Sequence, residues 1–143
     1  MARFATSQGS LTAAINTLAD QTTATTRAAT VNTAASPLQL TAAMVLGGIF
    51  ITSTAGAFQA NLPVPAAFVA AIPNCQVGTT VVCFIRNDGD NTLTLATNSV
   101  TGITLSGTAT IATTLGQVVV FKITNVTAAS EAYTCYVGLK VAN

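Results

Sequence analysis

From Gln76 onward the chain alternates apolar and polar positions with a period of two. "QVGTTVVCFIRN" places Val81, Cys83 and Ile85 on one face of a strand and Val82 and Phe84 on the other. A strand that is apolar on both faces is expected to be central. "TLTLAT" alternates with Leu93 and Leu95 inward, and "GITLSGTATIA" offers Ile103 and Leu105, a turn at Gly107 and a short strand ending at Ile111. "LGQVVVFKITNVT" sets Val119, Phe121 and Ile123 inside, with Lys122 and Thr124 outside. "EAYTCYVGLKVA" lines up Tyr133, Cys135, Val137, Leu139 and Val141, with Lys140 opposite. Gly, Asn and Asp separate these runs, and "NDGDN" at 87–91 carries the Asp88-Gly89 hairpin signal. The spacing predicts a mainly β domain, an antiparallel β-sandwich or jelly-roll-like barrel.

Residues 38–72, "LQLTAAMVLGGIFITSTAGAFQANLPVPAAFVAAI", are long, uncharged and apolar enough to raise the question of a membrane span. Such a helix needs about 20 predominantly apolar residues. Here the strongly apolar part, Met44 to Ile51, is short and interrupted by Gly47-Gly48, and Thr, Ser, Gln, Asn and Pro follow it. The stretch reads instead as a strand entered through a bend, with Ile49 and Ile51 on one face, then a loop, then one short helix. Pro65 suits the helix's first turn, Phe68, Val69 and Ile72 form its apolar side, and Pro73 stops it.

Residues 1–36 differ from the rest. "TLADQTTATTRAATVNTAAS" has almost no large apolar side chains and buries too little to fold alone. Before it, Ser10 is a possible cap for a helix with Leu11, Ile15 and Leu18 along one stripe, too short to be stable without a partner. The expected organisation is an N-terminal arm over 1–36, ordered on assembly, and a β-sandwich domain over 37–143. Arg3 and Phe4 at the arm's tip join Leu11, Ile15 and Leu18 as candidate assembly contacts.

Composition narrows the function. Charged residues are 6% of the chain, and the formal net charge is +1, against about 25% charged in an ordinary globular protein. That leaves no field for gripping nucleic acid or an anionic membrane. It does suit surfaces that neighbours cover, since contact cores are depleted in charge. No apolar run follows Arg3, so no secretory leader is expected.

Catalytic groups are scarce. The chain has no His and four acids, Asp20, Asp88, Asp90 and Glu131. The His-dependent triads are therefore excluded, and no pair of carboxylates is placed to face across a cleft. Cys75, Cys83 and Cys135 form an odd set without a metal-binding spacing, expected to be reduced, buried hydrophobes in strands. Arg86 falls on the strand face opposite Cys83 and cannot activate it. The oxygen ligands of Asn87, Asp88, Asp90 and Asn91 raise calcium, but the EF-hand pattern needs a Glu farther on that is missing here. A polar turn accounts for them better, and Asn125 in "NVT" reads as a polar strand end. No enzyme, cofactor or metal is expected.

In order along the chain, "LTAAMVLGGIFI", "NLPVPAAFVAAIPNCQVGTTVVCFIRN", "TGITLSGTATIA" and "VFKITNVTAASEAYTCYVG" resemble a small β-sandwich domain of virus structural proteins. That domain recurs in tailed phages, cyanophages among them, and in some large DNA viruses. The likeness rests on Leu46-Gly47-Gly48, Leu62-Pro63, Val69-Ala70-Ala71, Pro73, Val77-Gly78, Phe84, Ile85, Asn87, Gly102, Thr104-Leu105, Gly107-Thr108, Thr124-Asn125-Val126-Thr127 and Ser130-Glu131-Ala132. The resemblance implies a capsid decoration (cement) or minor capsid protein on the virion surface, made in the host cytoplasm. It further implies a trimeric homo-oligomer with the major capsid protein as partner, and neither nucleic acid nor membrane. The alternative is a tail or head fibre module holding a host receptor with loops such as 87–91 and 97–102.

Overall fold

A computed structural model describes residues 29–138. Ten strands and two short helices follow one another: β1 (Thr30–Asn32), β2 (Leu38–Gln39), α1 (Ala42–Leu46), β3 (Ile49–Thr52), β4 (Phe58–Asn61), α2 (Pro65–Ala71), β5 (Thr80–Asn87), β6 (Leu93–Ala96), β7 (Ile103–Gly107), β8 (Thr110–Ile111), β9 (Gly116–Asn125) and β10 (Ala132–Val137). They form a six-stranded sheet, ordered β1-β3-β5-β9-β10-β7, and a four-stranded sheet, ordered β2-β4-β6-β8.

Both sheets are mixed, which corrects the antiparallel expectation. β1–β3, β3–β5 and β7–β10 are parallel, as are β2–β4 and β4–β6. Only β5–β9, β9–β10 and β6–β8 are antiparallel. The connectivity is the reason. Through β8 the chain visits the two sheets alternately, so each return to a sheet comes after a crossing of the other. From β1 to β6 each return runs in the original direction, as a parallel crossover requires, whereas β8 returns antiparallel to β6. The Asp88-Gly89 turn is accordingly not a hairpin, because it carries the chain from β5 in the larger sheet to β6 in the smaller one.

The core gathers residues from both sheets and both helices. Phe50, Cys83, Ile85, Val119, Phe121, Ile123, Tyr133, Cys135 and Val137 come from the larger sheet, and Phe58, Ala60, Leu93, Leu95 and Ile111 from the smaller. α2 drops Phe68 into the middle, edge-on to Phe121 (ring centroids 5.3 Å apart) and to Tyr133 (5.2 Å). The Tyr133 hydroxyl donates to the Pro63 carbonyl at 2.6 Å, so the one polar atom of this trio has a partner. α2 begins at Pro65 and ends before Pro73 as expected, with Phe68 and Ile72 buried.

Residues 38–72 hold more structure than a strand, a loop and a helix. α1 is a second helix that the sequence reading overlooked. Thr41 caps it by accepting from the Met44 amide at 3.3 Å, and the chain leaves it at Gly47. β4 occupies the supposed loop, where Gln59 donates its amide to Asn61 Oδ1 at 2.8 Å and satisfies the polar groups that disguised the strand. Among the described residues no helix is long and apolar enough to cross a membrane. Thr30–Asn32, inside the stretch assigned to the arm, pairs with β3 as the edge strand of the larger sheet.

Candidate functional site: the outer face of the six-stranded sheet

Strand alternation that sends Cys83, Ile85 and Asn87 of β5 inward sends Val82, Phe84 and Arg86 outward. On β9 the same alternation buries Val119 and Phe121 and turns Val118 and Val120 out, and on β3 it buries Phe50 and turns Ile49 and Ile51 out. Register then makes one surface of these positions. Phe84 lies opposite Val118 on one side and Ile49 on the other, Val82 lies opposite Val120, and Ile51 lies opposite Val31. Phe84 is 39% exposed, Val82 46%, Val118 49% and Val31 60%. Apolar side chains gathered on one sheet face in this way make it the candidate interaction surface.

Charge stops at its borders. At one end the Arg86 Nε donates to Asp88 Oδ1 at 2.6 Å in a half-exposed ion pair. At the other, Lys122 stands opposite Thr80 and Thr134. Gly116 begins β9 where the Phe84 ring leans over. A side chain there would start inside the ring, whose Cε2 and Cε1 lie 2.8 and 3.1 Å from that position. The glycine lets Phe84 lie along the sheet and widen the apolar surface.

The reactive side chains point elsewhere. Cys83 and Cys135 are buried thiols, and burial, with Cys83 adding to it, pushes the Cys135 thiol up to about 12. A thiol buried and held protonated in this way is a poor nucleophile. Cys75 departs from expectation, being half-buried in the connection between α2 and β5 rather than in a strand. Burial likewise raises the Tyr133 hydroxyl above its ordinary range. Among the described residues no group of three or more His, Cys, Asp or Glu gathers closely enough to hold a metal.

In the 87–91 turn the Asn87 side chain is structural. Its Nδ2 donates to the carbonyls of Asn91 (2.7 Å) and Ile111 (3.0 Å), and its Oδ1 accepts from Gly89 (3.1 Å). The two candidate receptor loops are not brought together: 87–91 leads into β6 and 97–102 leaves it, which places them at opposite ends of that strand. The second loop does border a cleft of about 430 Å³ beside Pro65 and Glu131. Arg3, Phe4, Leu11, Ile15 and Leu18 lie outside the described residues. The outer sheet face was half legible in sequence, since Val82 and Phe84 stood out as apolar residues on a second face. Their exposure was not, because central strands of this pattern are ordinarily covered on both sides. Set against known proteins, the chain matches no family model, no curated protein and no solved structure.

Proposed function

We propose that this chain is a viral structural protein, a capsid decoration (cement) or minor capsid protein with a sandwich-like body that stabilises an outer shell by bridging capsomers. The observation that carries the reading is the exposed apolar face around Phe84 and Val118 on a protein with 6% charged residues. A cement subunit adds association free energy across joints between shell proteins. Each 100 Å² of apolar surface buried there contributes on the order of 2.5 kcal/mol before association costs. Many identical joints then act together. The resemblance of residues 40–138 to virion surface domains points the same way, with the major capsid protein as the partner and a homo-oligomer as the working form.

The test is gold-labelling of purified particles of the encoding virus with an antibody to this chain. Regular label over the heads supports the reading, whereas label confined to tails replaces it with the fibre alternative. For that alternative, the loop at 97–102 borders the cleft beside Glu131. Particles without label sink both.

A further inference from the structure

Of the strands that border the two sheets, β2 and β8 are two residues long and β1 is three. β7 is different, running for five residues at the far edge of the larger sheet. Proteins protect an edge of that length with Lys, Pro or a bulge. β7 has none of these. It contains no Pro, no charged residue occurs from Asn91 to Phe121, and its register with β10 is unbroken. The Tyr133 amide donates to the Gly102 carbonyl at 2.9 Å. In a parallel pair the main-chain bonds of one strand come from alternate residues, so Gly102, Thr104 and Ser106 face β10. The N–H and C=O groups of Ile103 and Leu105 point to the open side, where no described residue bonds them.

Their side chains are unfinished in the same way. Ile103 and Leu105 lie opposite Tyr133 and Cys135 on the core side, yet they stay half-buried where those two are fully buried. At the start of this edge lies the cleft of about 430 Å³, between residues 100–102, which lead into β7, and 129–131, which lead into β10. Its one charged lining residue, Glu131, forms no ion pair among the described residues.

We propose that β7 takes up an extended peptide of a partner protein as an added antiparallel strand, which delivers a Lys or Arg side chain into the cleft beside Glu131. Main-chain bonds to Ile103 and Leu105 supply the affinity, and the cleft supplies the preference. Antiparallel pairing is the more stable of the two directions, and it fixes the order of the peptide. Apolar residues stand opposite Leu105 and then Ile103, two positions apart. The basic residue follows two positions later, on the same face because side chains alternate. Uncharged polar residues between them continue the outward side of Thr104 and Ser106. The inference rests on this edge and this cleft, and owes nothing to the outer apolar row or to the proposed shell role.

The full chain, titrated with the peptide acetyl-Thr-Val-Thr-Val-Thr-Lys-amide and followed by amide NMR, tests it. The signals of Ile103, Leu105, Ser130 and Glu131 should move together, leaving those of Cys83 and Phe121 in place. Methylating both Val amides of the peptide blocks its bonds to β7 and should abolish binding. Methylating the second and third Thr amides, which point away from β7, should leave the affinity nearly unchanged. Glu131→Gln should weaken binding about three- to fivefold, the worth of a partly exposed ion pair. Unmoved signals at millimolar peptide, equal binding by the Val-methylated peptide, or unchanged affinity in Glu131→Gln overturns the proposal. So do Ile103 and Leu105 signals that move with protein concentration alone, which would give the edge to a second copy of this chain.

Discussion

The ring of Phe84 occupies the space in which a side chain at Gly116 would begin. The two residues sit diagonally across the β5–β9 pair, since Gly116 lies opposite Arg86 and Phe84 opposite Val118. Diagonal neighbours on a sheet are within reach of an aromatic side chain, and a missing Cβ lets the ring lie down. Gly116→Ala should force it to swing outward, at a cost of about 1 kcal/mol, the low end for overpacking because the ring has solvent to move into. In a Phe84→Ala background the obstacle is gone. There the same substitution should stabilise by about 0.5 kcal/mol through the unfolded chain's lost freedom. Urea unfolding of the four proteins measures the coupling.

Tyr133 ties α2's approach to the larger sheet through its bond to Pro63. Tyr133→Phe keeps the ring contacts with Phe68 and Phe121 but leaves a buried carbonyl unpaired, so a loss of about 1–2 kcal/mol is expected. Phe68→Ala removes the centre of the trio and should cost about 3–5 kcal/mol. Near-ultraviolet circular dichroism and urea midpoints distinguish a local loss from a global one.

Alkaline pH should weaken the fold in a defined window. The Cys135 thiol is raised by burial from 9.0 to about 12. The unfolded thiol therefore loses its proton first, and folding weakens as pH rises from 9 towards 12, while below 9 this contribution is fully present. The Tyr133 hydroxyl, raised in the same direction, adds to the loss above its ordinary value of 10.0. Cys135→Ala should flatten the dependence of the urea midpoint on pH over that range. A thiol reagent at pH 8 should modify Cys75 in the native protein, and Cys83 and Cys135 only after unfolding.

The positions of the strands from β5 to β10 were legible in sequence, because Cys83, Ile85, Val119, Phe121, Tyr133 and Cys135 alternate over stretches long enough to fix the period. Their partners were not. Period two is the same in parallel and antiparallel neighbours, and the Gly/Asp turn at 88–89 gives no sign that it changes sheets. α1 was missed because five residues are too few for a helical period to appear. Its signals were Thr41 as cap and Gly47 as stop. β4 was missed because Gln59 and Asn61 look like loop residues until they are seen bonded to each other.

Asn87 joins the sheets where sequence reading saw a polar turn. It ends β5, and its side chain reaches the Ile111 carbonyl in β8. Asn87→Ala should cost about 1–3 kcal/mol, leaving that buried carbonyl and the Gly89 amide without their partner. Asn87→Asp should cost more than Asn87→Ala. A carboxylate cannot donate to the carbonyls of Asn91 and Ile111, and it brings a charge into a buried place. Thermal melts at pH 7 and pH 4 would separate the two causes, with the Asp variant recovering part of its loss once protonated.

Docking through the outer face makes the most direct demand on a single side chain. Val118 is 49% exposed, so Val118→Asp should cost the isolated chain only about 1 kcal/mol, the span of strand preferences. At a joint the same carboxylate would be buried without a partner, at about 3–5 kcal/mol. With about 1.4 kcal/mol per tenfold in affinity, occupancy on particles lacking the native protein should fall at least a hundredfold at limiting concentration. Thr104→Asp is the control. Thr104 shares the outward direction on β7, the opposite edge strand of the same sheet, but lies outside the apolar row. It should bind as the unaltered protein does. Full occupancy by the Val118 variant would mean that the joint is made elsewhere on the molecule. Loss of binding by both would mean that the sheet's outer side is engaged from edge to edge.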